Sequence, residues 1–343
     1  MQSLPGFKKT ETFNFIRQCL IAGIVLLFFI LNITANAQDP AHLQLLSNSL
    51  YVNPGFAGAL QEKNISLNYR NQWPGQETKF EDFYASYDQP SELLHGGFGF
   101  YVLNDQAGKI MRNTSLAALY SYQLQVSHSF FVQAGFQVSL NQRSINTADL
   151  VFPDMIDPYL GFILPTSEAV GNLQKLFMDY SVGFVGFSRE WFGGISVHHL
   201  TQPGMSENKL DETILPRKFT IFLGRNFEWP VGKKRGEPLI LSPEFFFINQ
   251  KRYKNLKYGV VVEEKPFSVA FHLRHDMKFS YSTLILSVGM NHSIVHLGYS
   301  YEVAVGRQSS IMPAGGTHEI GISIHFADQI KKNADRAIKL PSI

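Results

Sequence analysis

Histidines are the side chains in this sequence best suited to chemistry, because a neutral imidazole can bind a metal ion or act as a general base. His198 and His199 are adjacent in a segment that alternates like a strand. We therefore expect their side chains to point to opposite faces, where they cannot chelate one ion together. His272 and His275 are expected on opposite faces or in a turn. The histidines predict no metal site, and structural or lumen-lining roles are the better interpretation.

Serine and acidic residues give no clearer sign of a catalytic or metal site. The pattern Gly-x-Ser-x-Gly, which marks the nucleophile of many hydrolases, is absent. Asp149, Asp154 and Asp157 are close enough in sequence to bind Ca²⁺, but their spacing matches no standard calcium loop. A solvated loop is the better interpretation. We expect no catalytic, cofactor-binding or metal-binding residues.

Alternation of apolar and polar residues is the strongest structural signal, and it is clearest from Thr114 to Asn141. A period of two residues predicts strands with two unlike faces. Each of the two strands here exceeds the usual five or six residues, and about 9–11 residues are what a tilted strand needs to cross a bilayer. The polar face is rich in Gln, Asn and Ser, which suits a barrel interior. A hairpin of a soluble β-sandwich is the alternative.

The N-terminus has the features of a secretory signal. A basic region with Lys8, Lys9 and Arg17 precedes an apolar run from Leu20 to Leu31, and Ala35-Asn36-Ala37 follows. This pattern predicts a signal peptide at residues 1–37, cleaved after Ala37. The one cysteine, Cys19, lies inside the predicted signal and not after its cleavage site, which argues against a lipoprotein and against disulfides.

Charge and hydropathy exclude several classes of protein. Residues 1–37 contain three of the 30 basic and one of the 28 acidic side chains, so the remainder carries 27 of each and has no net charge. This balance gives no support for nucleic-acid binding. No stretch after residue 37 is apolar for 18 residues, so no spanning helix is predicted.

These patterns together predict an exported, all-β, transmembrane antiparallel up-and-down β-barrel. The alternation gives fourteen strands, an even number, as single-chain bacterial barrels have. The predicted organisation is a signal peptide at 1–37, an irregular segment at 38–63, the barrel at 64–326 and a polar tail at 327–343. Most of the longer connections fall at one end of the barrel, which we expect to face outward.

Two outward connections, Ser144–Lys175 and Thr201–Leu215, are the expected sites of partner binding. The first is long and unpatterned, and such loops are often functional. The residues of this loop that we select as candidate partner contacts are Asp149, Phe152, Asp154, Asp157, Tyr159 and Phe162.

Five short stretches, in order along the chain, resemble the PorP/SprF proteins of the type IX secretion system of Bacteroidetes. They are Tyr51–Gly58, Tyr69–Trp73, Gly193–Pro203, Gly298–Glu302 and Gly316–Ile320. The positions that match the family motifs are Asn53, Pro54, Gly58, Arg70, Gln72, Trp73, Ser196, His199, Gln202, Pro203, His318 and Glu319. The family more often has Ala at the position of Gly55 and Asp at that of Glu302. The resemblance runs from about Leu45 to Phe326.

Several of these motif residues also have a physical interpretation. Asn53-Pro54 and Ala57-Gly58 suit a compact turn, which we expect at the inner mouth of the barrel. Trp73 suits a membrane-interface position. Gln202-Pro203 is expected to end a strand, because proline cannot extend a ladder.

The resemblance implies an outer-membrane component of type IX protein secretion, sometimes linked to gliding motility. Such proteins are thought to help export large adhesins, or other cargo with a type IX C-terminal domain, or to retain them at the surface. The implied partners are this cargo, periplasmic or lipoprotein parts of the machine, and outer-membrane lipid, with no nucleic acid and no cofactor. No catalytic residues come with the family.

Two other functions stay open on the sequence alone. The Gln/Asn/Ser face fits an outer-membrane channel for small solutes. A barrel lipid hydrolase or acyltransferase, which would use a Ser with a His at the rim, is a weaker alternative.

Overall fold

A computed structural model of the chain describes residues 39–76, 79–146, 152–157, 159–163, 173–205, 214–230, 238–279, 282–305, 315–326 and 337–341. The predicted signal peptide and Asp149 lie outside these ranges. Within them, no helix has the length and hydropathy needed to cross a membrane.

Fourteen antiparallel strands form one sheet, and the eighth strand is divided in two at Asn226. Their bounds are β1 Lys63–Gln72, β2 Phe80–Ser91, β3 Gly96–Ala107, β4 Met111–Gln125, β5 Phe131–Ile145, β6 Leu173–Phe187, β7 Trp191–His198, β8 Lys218–Arg225 with Phe227–Trp229, β9 Leu239–Gln250, β10 Tyr253–Glu264, β11 Phe267–Asp276, β12 Ser282–His292, β13 Val295–Ala304 and β14 Thr317–Phe326.

The sheet closes on itself, which confirms the predicted barrel. Each strand pairs with its neighbours in sequence, and β1 pairs with β14 from Lys63 opposite Phe326 to Gln72 opposite Thr317. Every strand therefore has two partners. Closure matters in lipid, where an unpaired backbone N–H or C=O group costs several kcal/mol.

The two faces of the barrel differ as the alternation predicts. On β11 the side chains of Phe267, Val269, Phe271 and Leu273 are exposed on the outer face, whereas the residues between them are buried. An apolar outer face suits contact with lipid. Aromatic side chains such as Trp191, Trp229 and Phe279 are exposed near the ends of strands, where amphipathic rings lie at the membrane interface.

The connections divide the barrel into two unlike ends. The short-turn end contains the tight turns β2–β3, β4–β5, β6–β7, β10–β11 and β12–β13, with the longer connection 230–238 as the exception. The long-loop end contains connections 146–172, 199–217 and 305–316. In outer-membrane barrels the short turns face the periplasm and the long loops face outward.

Strands β5 and β6 continue past the ends that alternation predicts, namely Asn141 and Phe177. Their ladder runs to Ile145 opposite Leu173. The extra residues stand at the rim, where water on the outer side removes the need for an apolar face, so alternation does not mark them.

The interior of the barrel is filled by residues 39–60, which we call the luminal segment. Leu50, Val52 and Phe56 of this segment are buried against aromatic wall residues. The Phe56 ring stacks on Phe222 with a centroid distance of 5.3 Å, and Phe222 stacks on Phe246 at 5.9 Å. Residues 337–341, in the predicted polar tail, lie beside the same apolar cluster.

The outer face generates a test of membrane position. Phe271 stands at the middle of β11, and Phe267 stands at the end of the same strand. We expect Phe271→Arg to lower the free energy of unfolding by about 2–4 kcal/mol and the control Phe267→Arg by about 0–1 kcal/mol. Urea titration of the barrel folded into vesicles measures both. Equal losses would contradict the assigned membrane depth.

Candidate functional site: the luminal segment and its contacts

Short-range turns give the luminal segment its shape. Helix α1, Ser49–Val52, is followed by a 3₁₀ turn at Pro54–Phe56. Asn53 begins this turn, and its Oδ1 accepts a hydrogen bond from the Gly55 N–H at 2.8 Å. Pro54 occupies the first helical position, where no N–H is needed. The turn is compact, as the sequence indicates, and it lies inside the barrel towards the short-turn end, where Asn53 and Gly58 contact wall residues close to the short turns.

Asn53 also connects the segment to the wall. Its Nδ2 donates to the carbonyl oxygens of Phe184 at 3.1 Å and Ile195 at 2.9 Å, which belong to paired residues of β6 and β7. The side chain is fully buried. A single amide therefore satisfies the turn with its oxygen and two wall carbonyls with its nitrogen, which fixes its orientation.

Two wall glycines make room for this turn. Gly135 and Gly183 lie opposite each other in β5 and β6. A Cβ on Gly135 would lie 2.2 Å from the Gly55 nitrogen, and one on Gly183 would lie 2.1 Å from Asn53 Oδ1. Any larger residue at either position would displace the segment.

Wall hydroxyl and carboxylate groups bind the end of the segment near the short turns. Ser121 Oγ donates to the Ala57 carbonyl at 2.6 Å, and Asp88 Oδ2 accepts from the Gly58 N–H at 2.9 Å. Gly58 has a φ of 67°, a left-handed conformation that favours glycine. The Ala-Gly motif therefore places two backbone groups against two inward side chains.

Ser196 and His198 bind the Val52 carbonyl. Ser196 Oγ donates to this oxygen at 2.7 Å, and His198 Nε2 lies 3.1 Å from it. The prediction that His198 and His199 point to opposite faces is wrong. β7 ends at His198, and His199 adopts a left-handed φ of 58°, so both rings face the interior with centroids 6.3 Å apart.

Glu319 on β14 is the main anchor for the middle of the segment. Its carboxylate accepts hydrogen bonds from the backbone N–H groups of Leu43 at 2.5 Å and Gln44 at 3.0 Å, and from Asn68 Nδ2 at 3.0 Å. Asn48 Nδ2 lies at 3.4 Å. Glu319 is fully buried. A buried carboxylate is stable only when such donors replace its water.

Charged groups bind the start of the described chain near the long-loop end. Asp39 Oδ2 lies 2.9 Å from His199 Nε2 and 2.7 Å from Lys218 Nζ. His199 Nδ1 lies 2.7 Å from Asp179 Oδ2. His199 therefore bridges a carboxylate of the segment and a carboxylate of the wall.

The two carboxylates favour the charged imidazolium. Burial alone would lower the pKa of His199, but the charge of Asp39 and the hydrogen bonds that His199 donates to Asp179 and Asp39 raise it to about 9. Burial alone would raise the pKa of Asp39, but the charges of His199 and Lys218 outweigh it and bring this pKa well below its usual value. At neutral pH the pair is ionic.

The remaining motif positions lie in the wall or at the rim. Arg70 forms a buried ion pair with Asp82 at 2.5 Å and also contacts Gln72. The rim positions are near the long-loop end. The Trp73 ring packs edge-on against Phe80. The Gln202 backbone N–H donates to the His199 carbonyl, and the Pro203 carbonyl accepts from the Leu215 N–H. His318 Nδ1 lies 2.8 Å from the Tyr299 hydroxyl.

The structure therefore brings together six of the twelve motif positions at the luminal segment: Asn53, Pro54, Gly58, Ser196, His199 and Glu319. The candidate loop residues lie elsewhere, between β5 and β6. Phe152, Asp154 and Asp157 belong to the described part of the β5–β6 loop, and Phe162 pairs with Ile156 in a two-residue ladder.

Among the described residues no group of three or more His, Cys, Asp or Glu is arranged to hold a metal ion.

Removing the Glu319 anchor is expected to free the segment. Each hydrogen bond to a charged group contributes about 1.5–3 kcal/mol. Glu319→Ala should therefore raise the equilibrium constant for release of the luminal segment from the wall at least about tenfold. Cys19 is the one cysteine of the chain and lies in the predicted signal, so Leu43→Cys, at a buried position, gives a single thiol. The measurement is its alkylation rate by a membrane-impermeant maleimide.

Glu263→Ala is the matched control, because the Glu263 carboxylate bonds to Asn291 of the wall. Equal alkylation rates in both variants would show that Glu319 does not anchor the segment.

The His199 contact is expected to weaken at high pH. Its folded-state pKa is raised, so its stabilising effect is fully present below about pH 6.5 and is lost as pH rises through about 9. A spin label at Ala41→Cys should become more mobile across this window. The same label in a His199→Gln variant should show no such step. A step of equal size there would exclude His199 as its source.

Comparison with known proteins agrees with this description. The sequence matches the family described as type IX secretion system membrane protein PorP/SprF over residues 34–324. A search of curated proteins found no match.

Solved structures with a similar backbone include three barrels. The Ralstonia pickettii toluene transporter TbuX is 11% identical, with 81% of this chain and 93% of that chain covered and a TM-score of 0.47. The CymD monoaromatic hydrocarbon channel is 12% identical, with 84% and 94% covered and a TM-score of 0.49. A Pseudomonas aeruginosa FadL homologue is 10% identical, with 81% and 91% covered and a TM-score of 0.40.

These structural similarities have low identity, and nothing about transported solutes follows from them. The family match covers most of the chain, and the closed fourteen-stranded barrel with an apolar outer face agrees with an outer-membrane location. The chain belongs to the PorP/SprF family of type IX secretion system membrane proteins.

Proposed function

We propose that this barrel works without catalysis, through protein contacts that help export large secreted adhesins or retain them at the cell surface. The proposed cargo carries a type IX C-terminal domain. We propose that the exported adhesins act at the cell surface, where they contribute to gliding motility. The proposed machine partners are periplasmic or lipoprotein components. The observation that carries the proposal is an exposed apolar surface on the β5–β6 loop.

This surface, which we call the loop tip, consists of four side chains. Their exposed fractions are 47% for Ile156, 96% for Tyr159, 70% for Leu160 and 58% for Ile163. Apolar groups that stand together in water commonly mark interaction sites, and tyrosine is enriched in protein interfaces. The long-loop end faces outward, so the loop tip is available to a secreted protein.

The turn that carries the loop tip is already formed. Asp157 Oδ1 accepts hydrogen bonds from the N–H groups of Tyr159 at 2.8 Å and Leu160 at 2.9 Å. Ile156 pairs with Phe162 across it. Asp157 therefore shapes the turn, in addition to its place among the candidate partner contacts. A preformed turn lowers the conformational cost of binding.

The filled lumen also favours contact at the rim over passage through the barrel. The luminal segment is bound to the wall from Asp39 to Gly58 by the hydrogen bonds described above. A channel for small solutes would require this segment to leave. A channel for small solutes is thus the second candidate function. No contact among the described residues favours solute passage.

The loop tip gives a direct test. We expect the double variant Tyr159→Ser with Leu160→Ser to reduce adhesin retained at the cell surface at least about tenfold, because an interface anchor commonly contributes about 2 kcal/mol. Whole-cell antibody binding measures the retained adhesin. Leu93→Ser is the matched control, because Leu93 is 88% exposed in the β2–β3 turn at the opposite end.

Barrel assembly in all variants is checked by heat-modifiable mobility on gels. Unchanged retention in the double variant would contradict the proposed role of the loop tip. Solute conductance in planar bilayers by the purified chain, with the luminal segment still protected, would favour the channel instead.

A further inference from the structure

Residues 337–341 occupy a defined position at the short-turn end. Ile338 is 3% exposed and belongs to the apolar cluster inside the barrel, and Leu340 packs against the same cluster. Lys339, between them, is exposed. Ile338 and Leu340 therefore face the barrel on either side of the exposed Lys339, as in an extended peptide bound in a groove, and Pro341 is buried after them.

The backbone of this stretch bonds to the luminal segment. The Ile338 N–H donates to the Ala59 carbonyl at 3.0 Å. Ala59 is fully buried and lies near the end of the luminal segment, just before β1 begins. The tail therefore supplies a backbone donor to a carbonyl that the closed sheet leaves without a strand neighbour.

Asn226 binds a second peptide group of the tail. Its Nδ2 donates to the Lys339 carbonyl at 2.9 Å, while its Oδ1 accepts from the Ser242 hydroxyl at 2.7 Å. Ser242 thus fixes which end of the amide faces the tail. Asn226 also separates the two parts of β8, and its N–H donates to the Glu190 carbonyl at 2.7 Å. The interruption of β8 places a fixed donor at the mouth.

A charge pair completes the contacts. Lys339 Nζ lies 3.4 Å from Glu228 Oε1, and both side chains are about half exposed. Such a pair adds little affinity, but it favours a basic residue between the two aliphatic ones.

These contacts suffice for recognition but are few for a permanent closure. Within the described part of the chain, two hydrogen bonds to its backbone, the side chains of Ile338 and Leu340 and one exposed ion pair bind the stretch, and Pro341 is buried beside them. The tail is covalently joined to β14, so its effective concentration at the mouth is high and weak contacts keep it bound. A free peptide with the same pattern meets the same groups once the tail is absent.

We propose that the short-turn mouth is a binding site for an extended peptide with aliphatic side chains at alternate positions and a basic residue between them. The chain's own residues 337–341 are its internal ligand. The external ligand is a segment of a periplasmic protein, since short turns face the periplasm. Its binding exchanges the tail for a partner at the exit of the luminal segment.

The test uses the full chain with an engineered disulfide that can be reduced. Ala59→Cys with Ile338→Cys places a cysteine pair across the Ile338–Ala59 contact, and no other cysteine follows residue 37. The probe is a fluorescent peptide with the sequence of residues 336–343. We expect binding to the oxidised chain to be at least about tenfold weaker than binding to the reduced chain, measured by anisotropy in detergent. In the reduced chain Ile338→Cys removes one aliphatic contact of the attached tail, so the free peptide can displace it.

Two controls make the result specific. A peptide with Ile338→Asp and Leu340→Asp should not bind the reduced chain. A chain that ends at residue 326 should bind the original peptide without any reduction, and this variant tests the site even where the disulfide does not form. Equal binding to the oxidised and reduced chains, or no binding to the reduced and shortened chains, would overturn the proposal.

Discussion

The backbone amides of the strands and of the luminal segment must find partners within the protein, because lipid surrounds the barrel and the luminal segment fills it. The closed sheet solves this for the fourteen strands, each of which has two neighbours. The same closure leaves no strand edge for the luminal segment. Its N–H and C=O groups therefore bind wall side chains, among them Ser121, Ser196 and Glu319. The inward polar residues are thus the binding partners of a buried peptide.

Buried ion pairs also determine where the luminal segment lies along the barrel. Arg70 with Asp82 and Arg274 with Glu302 lie within the wall, whereas Lys218 with Asp39 connects the wall to the segment. Removing two charges from water is costly, so such pairs contribute modest net stability, but an unpaired charge left in the same place is strongly unfavourable. The cost of separating Asp39 from Lys218 therefore opposes sliding of the segment along the barrel.

Most of the fold could be predicted from the sequence because the period of two is a local property. The location of the luminal segment could not. Alternation tells which face of a strand is polar, but not whether water or protein lies opposite it, so the face of Gln133 and Gln137 fitted a pore equally well. Asp39 and Lys218 were missed because their contact is between residues distant in sequence. Ile338 was missed because five residues are too few to show a pattern.

The motif residues show a similar division. The resemblance selected Glu319 without giving it a role, and Asn53 was expected only to form a turn. The structure explains both by contacts between the luminal segment and the wall. The resemblance also selected Trp73 and His318, which lie at the rim and contact neighbouring residues of the wall. A motif position is therefore not evidence of a shared site. The loop tip was partly anticipated, since Tyr159 was selected, but its neighbours Leu160 and Ile163 were not.

The position of Glu319 has a consequence for biogenesis. The residue stands on β14, the last strand to be synthesised and the one that completes the seam with β1. The luminal segment comes before β1, so it is the first part of the described chain to leave the ribosome and the last to receive its main anchor. An open sheet of thirteen strands lacks Glu319 and therefore part of the wall that binds the luminal segment. Sealing the barrel and filling it are therefore coupled through one carboxylate, and a barrel that fails to close is also one whose N-terminal segment stays unbound.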